Sequence, residues 1–126
     1  MTGRGTHGLR EADATAHRQT MIWLAQRISA AVLAACVLVH LALIIYAVRG
    51  GLSAAEILGR TRGSVAWGGF YIVFVTAIAV HAPIGLRNVV SEFTRQRAER
   101  YDWLMHLSGL LLLLAGLRAV YGVIVG

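Results

Sequence analysis

Three long apolar runs, Ile28–Val48, Ser64–Leu86 and Leu104–Gly126, leave this chain few folds to choose from. Each carries little or no formal charge and reaches the roughly 20 residues that a helix needs to cross about 30 Å of hydrocarbon. Within lipid, backbone polar groups have to be satisfied by the protein itself, which restricts spanning segments to helices and closed barrels. The length of the runs and their lack of alternation predict helices, even where the second run is rich in aromatic and β-branched residues. The expected fold class is therefore all-α and integral to the membrane. It is read as three transmembrane helices in an up-down-up bundle, with spans at about 20–48, 64–89 and 103–126 behind a polar segment, 1–19. The hydrophobic fraction of 57% and mean hydropathy of +0.65 agree; soluble domains are about half apolar.

Charge sets the orientation. The net charge is +6, and all twelve basic residues are arginine, a composition that fits a GC-rich genome. A basic balance can serve nucleic acid, but these arginines gather at the ends of the spans. The N-terminal segment with Arg27 holds four and the second loop with Arg87 another four, against three in the first loop with Arg49. Positive residues favour the cytoplasmic side, so the N-terminus is expected inside and the C-terminus outside. The segment 1–19 is not a secretory signal, because no short apolar stretch with a cleavage site follows; it is expected to be partly disordered. His7 and His17 read as solvated residues of that segment. A single cysteine, Cys36, excludes disulfides, zinc sites and iron–sulfur clusters built from this chain alone. No Gly-rich phosphate loop follows a strand.

The polar residues in and near the spans are the candidates for function, since intramembrane ionisable groups are expensive. Trp23 is placed as an interfacial aromatic anchor, with Arg27 about one turn inside. Ser53-Ala54-Ala55-Glu56 fits a capping box and predicts a short surface helix at Ala54–Leu58. Pro83 is tolerated in the second span where a neighbouring helix can re-satisfy the freed carbonyl, and is a candidate kink. His81 precedes Arg87 by six residues, which puts it about 9 Å above the inner boundary. His40 precedes Arg49 by nine residues, about 13 Å from the outer boundary. The two imidazoles thus sit in opposite halves of the bilayer. Metal–nitrogen bonds are only about 2 Å long, so one ion does not easily take both, whereas two separate sites could. Ser29, Cys36, His40 and Ala47 share one face of the first span, and Gly85 and Asn88 lie on the His81 face of the second. A glycine one turn from a histidine leaves room for a flat macrocycle; it equally lets helices approach. His106 opens the third span on the inner side, one turn from Gly109. Arg118 lies at a depth similar to that of His40 and either snorkels outward or neutralises an acidic group near that histidine.

Two stretches carry a resemblance. Gln26-Arg27-Ile28-Ser29-Ala30 resembles the His-Arg-x-Ser-Gly motif of the cytochrome b subunit of succinate dehydrogenase. His81-x-x-x-Gly85-Leu86-Arg87 resembles that family's His-x-x-x-Gly-Ile-Arg-His signature at the inner end of its second span. Three spans and the chain length also agree. The resemblance implies a membrane-anchor subunit of a succinate:quinone oxidoreductase, working in succinate oxidation or fumarate reduction and not catalytic alone. Its site would be a bacterial cytoplasmic (inner) membrane. It implies an iron–sulfur subunit, a flavoprotein subunit and a second small membrane-anchor subunit as partners, heme b as cofactor, and ubiquinone or menaquinone as substrate. By position, His81 would be a heme axial ligand, Arg27 would line the quinone site, and Arg87 would lie near the heme propionates. The sequence departs from the pattern at three places. Trp23 replaces the quinone-site serine, leaving Ser29 as a nearby hydroxyl. Asn88 replaces the histidine after the second-span arginine. His40 has no counterpart in single-heme members but is similar to the first-span ligand of diheme members, so one or two hemes are implied.

Two other readings stay open: a heme-free anchor of the same complex, in which His40 and His81 only pack, and an unrelated three-span interaction or transport subunit. The basic loop Arg95–Arg100 is either a docking surface for the iron–sulfur subunit or a determinant of topology.

Overall fold

The computed structural model describes residues 3–126, and side chains from Gly5 onward. Four α-helices follow one another: α1 (Gly3–Arg49), α2 (Ala54–Thr61), α3 (Val65–Thr94) and α4 (Asp102–Ile124), with a short 3-10 turn (Ala98–Tyr101) before α4. Among the described residues there are no strands. Three stretches are long and apolar enough to cross a membrane, Gly5–Arg49, Val65–Thr94 and Ala98–Ile124. The all-α, three-span, up-down-up reading therefore holds.

The first helix corrects one expectation. The segment read as a partly disordered tail is helical from Gly3, so α1 runs 47 residues without a break, about 70 Å. Two contacts fix where it leaves the bundle. Arg18 pairs with Asp102 at the start of α4, and Gln19 Nε2 donates to Glu99 Oε1 at 3.2 Å. A helix that is already nucleated in the bilayer adds residues at little cost, whereas an isolated segment of this length is marginal. That coupling is invisible to a reading of local composition.

The centre of the bundle is α3, which packs on α1 along one side and on α4 along another. The α3–α4 seam is built on small residues. A Cβ on Gly109 would lie 3.3 Å from the Ala79 carbonyl oxygen and 3.4 Å from Pro83 Cγ. Pro83 has no N–H to donate to residue 79, so the freed carbonyl lies against the glycine of the next helix. The helix assignment continues through Pro83 without interruption. Gly116 lies under Val75, and Gly68 under Ile124. At the outer end the carbonyls left over at the end of α4 find donors in the α2–α3 connection. Gly63 N donates to Ile124 O at 2.9 Å and Thr61 Oγ1 to Val123 O at 3.3 Å. The predicted capping box is present in both halves: Ser53 caps the Glu56 amide, and the Glu56 carboxylate accepts from Ser53 N at 2.7 Å. The Ser53 backbone and hydroxyl donors hold the Glu56 carboxyl below its ordinary value.

Little of this is a closed core. The buried apolar side chains are small or few, namely Cys36, Ala77 and Ile84 together with Pro83, while leucines and valines along all three spans are exposed. Such surface suits lipid or neighbouring transmembrane helices and not water.

Candidate functional site

The two span histidines are both on or near the α1–α3 seam. His40 of α1 packs against α3, with ring centroids 6.0 Å from Tyr71 in an edge contact and 5.5 Å from Phe74. Lower down the seam, Gln26 Nε2 is 3.7 Å from where a Cβ on Gly85 would stand, and His81 is one turn above Gly85. Along α3 the contacts of His40 lie seven to ten residues before His81. The imidazoles are therefore about 10–15 Å apart along the helix axes. No group of three or more metal-ligating side chains gathers among the described residues.

Each imidazole is half-buried and polarised in the same way. The Nδ1 atoms of His40 and His81 are sealed in the protein without a hydrogen-bond partner. The Nε2 atoms also make no hydrogen bond within the chain, yet they are not sealed. A neutral imidazole that ligates iron does so through one nitrogen while the other carries the proton. The accessible Nε2 atoms meet the first requirement, whereas the Gly85 surface one turn from His81 is occupied by the Gln26 side chain. Each histidine thus offers one open ring nitrogen, as holding a heme iron would require, while its Nδ1 lacks the partner that usually orients a ligand histidine.

Arg87 takes a position that its sequence context did not announce. Its side chain is only 2% exposed, and its Nε donates to Asp102 Oδ1 at 2.8 Å. The other Asp102 oxygen takes Arg18. One carboxylate therefore joins the ends of α1, α3 and α4. Arg87 Nη2 is sealed from solvent and has no partner, so the guanidinium faces the interior of the bundle. A carboxylate fifteen residues after an arginine, across a loop rich in both signs, carries no signal of which pair forms.

The quinone candidates separate. The Arg27 guanidinium lies over the Trp23 ring at 5.3 Å, and both residues are exposed. Ser29 lies two residues on, about 200° around the helix from Arg27. It is buried, and its hydroxyl donates to Gln26 O at 3.1 Å. Asn88 and Arg118 are exposed. The contacts of Gly116 with Val75 and of Ile124 with Gly68 put Arg118 level with Tyr71 and Phe74, hence at the height of His40 but across α3.

Taken together, these features define a helical, multi-pass membrane protein with polar side chains at two depths. A family model described as succinate dehydrogenase/fumarate reductase transmembrane subunit matches residues 13–102, well over half of the chain. The chain belongs to that family. The match covers the α1 and α3 spans with both motifs and stops where α4 begins. No curated protein and no solved structure gives a match.

Proposed function

We propose that this chain is a heme b-binding membrane anchor of a succinate:quinone oxidoreductase. It holds an iron–sulfur subunit and a flavoprotein subunit at the inner face of a bacterial cytoplasmic membrane, together with a second small anchor subunit. The observation that supports heme most directly is the pair of half-buried histidines, each with one sealed and one accessible ring nitrogen. Bound heme would supply a one-electron store between partner and quinone. His81 would hold it in the inner half of the bilayer and His40 would hold a second in the outer half. Arg87, fixed by Asp102, lends a stationary positive charge from inside the bundle, while Asn88 and Arg118 are free to meet propionate oxygens at the two depths. The chain breaks no bonds itself.

Quinone takes two electrons and two protons to become quinol, and a headgroup near the inner boundary is close to both the electron source and water. Arg27 stands there with its guanidinium on the Trp23 face, a cation–π arrangement that leaves N–H groups for a charge-assisted bond to a quinone oxygen. Ser29 lies on the opposite, buried face of the same turn and does not reach this position.

The deciding measurement is a reduced-minus-oxidised absorption spectrum of the purified complex. A b-type band is expected. His81→Ala should remove one heme signal and His40→Ala a different one. An unchanged spectrum in His40→Ala leaves one heme, and absence of any band in the parent complex rejects heme altogether. The heme-free alternative has one observation in its favour: His40 is packed between Tyr71 and Phe74 as an ordinary seam residue would be.

A further inference from the structure

Of the three histidines in the spans, the one that the proposed function leaves unused is His106. It is exposed, and it makes no hydrogen bond within the chain. It lies four residues past Asp102, about 6 Å into the bilayer from the plane that joins Arg18, Asp102 and Arg87. It also lines a cleft of the α3–α4 seam, a cavity of about 440 Å³ whose walls include Pro83, Ile84, Met105 and Gly109. A second cavity, about 360 Å³, lies between α1 and α3 and is lined by Ser29. Thr76 and Val80 line both. The two cavities therefore adjoin on one side of α3 and form a single groove with α1 and α4 as its walls.

The shape of this groove is that of an amphiphile. Its lower end carries an imidazole at the membrane boundary. The two cavities meet at Thr76, and the upper end of the groove reaches Ile72, fifteen residues before Arg87 and about 22 Å higher, past the bilayer midplane. Between them the lining is almost wholly apolar, and the groove is open to lipid along its length, so a lipid-soluble molecule can enter sideways. The volume lies in the range of about 300–1,000 Å³ usual for small-molecule sites. No arginine lines either cavity, whereas lipid phosphates are commonly met by arginine or lysine clusters. A neutral acceptor is the better match for a lone imidazole.

We propose that this groove is a quinone-binding position, separate from the Arg27–Trp23 face, in which the His106 imidazole N–H donates to one quinone carbonyl and the prenyl tail runs up past Thr76. The proposal rests on the quinone-reducing function above. Ser29 is the one residue of the earlier quinone candidates that faces it.

The test uses the complete complex. A photoreactive azidoquinone should label residues of α3 and α4 around Pro83 and His106, and excess unlabelled quinone should suppress the labelling. His106→Phe should raise the KM for a short-chain quinone about tenfold, the size of about 1.4 kcal/mol of lost hydrogen bonding. His106→Gln, which keeps a donor, should recover part of it. Leu110→Trp, which fills the groove one turn from His106, should raise KM as well. Succinate oxidation with a soluble artificial acceptor, and the heme spectrum, should stay unchanged in all three. Label confined to α1 or to partner subunits, or a KM within twofold of the parent in both His106→Phe and Leu110→Trp, overturns the proposal. So does a phospholipid found in the groove that excess quinone does not displace. If Arg27→Ala still impairs quinone reduction in those cases, the quinone-reducing function stands without this site; a parent complex that reduces no quinone rejects the function itself.

Discussion

Asp102 satisfies Arg87 and Arg18 at once, yet one Arg87 nitrogen remains buried and unpaired. Removing the carboxylate leaves a sealed guanidinium without its counter-charge, a loss of about 3 kcal/mol for a pair this enclosed. Asp102→Ala should therefore lower the stability of the solubilised complex by about that amount in chemical denaturation. Adding Arg87→Met should restore most of it, because an apolar side chain there has no charge to compensate. If the single and double variants are equally unstable, Asp102 acts through Arg18 instead. The two span histidines were legible from sequence because a charge-capable group in an apolar run stands out by contrast. Arg87 was legible as a functional position but not as an interior tie. Its partner sits beyond a loop with charges of both signs, and only the docking of α4 selects Asp102 from among them.

Between elements, the seam of α3 and α4 depends on absences. Gly116 leaves the space that Val75 occupies, and a methyl group there would overlap both Val75 methyls. A β-branched side chain has little freedom to turn away in a helix. Gly116→Ala should destabilise the bundle by about 1–3 kcal/mol, the usual cost of overfilling a packed contact. The double variant Gly116→Ala, Val75→Ala should recover much of the loss in thermal unfolding of the complex. Equal unfolding of parent and single variant would show that the helices simply move apart. Helix existence and the α2 capping box were readable because hydropathy and capping are local properties. Helix ends were read less well. α3 continues to Thr94 and α1 begins at Gly3, beyond the apolar runs, because a helix is extended by its own hydrogen bonds after hydrophobicity has ceased to require it. The groove between α1 and α4 was not readable at all, since it exists only once α3 separates them.

The whole molecule has two chemically different ends. Arg18, Arg87, Glu99 and Asp102 meet at one, while α2 and the last turn of α4 close the other. The arginine distribution predicts that the first end faces the cytoplasm. A reporter fused after Gly126 should accordingly be active only as an external-side enzyme, and a cysteine placed at Gly59 of α2 should react with an impermeant maleimide in intact cells. Reaction only after permeabilisation would invert the topology. Because few side chains are sealed within the bundle, most of its cohesion has to come from lipid and neighbouring subunits, which fits a chain made to be one part of a complex.

The unbroken α1 turns this anchor into a vertical post. From Arg18, where it is strapped to α4, to Gly5 there are thirteen residues, or about 20 Å of rod standing clear of the bundle. Any subunit that settles on that end of the bundle has to be notched or offset around that post. The post therefore acts as a locating pin: it limits the rotational settings in which a peripheral subunit can dock, before a single side chain is recognised.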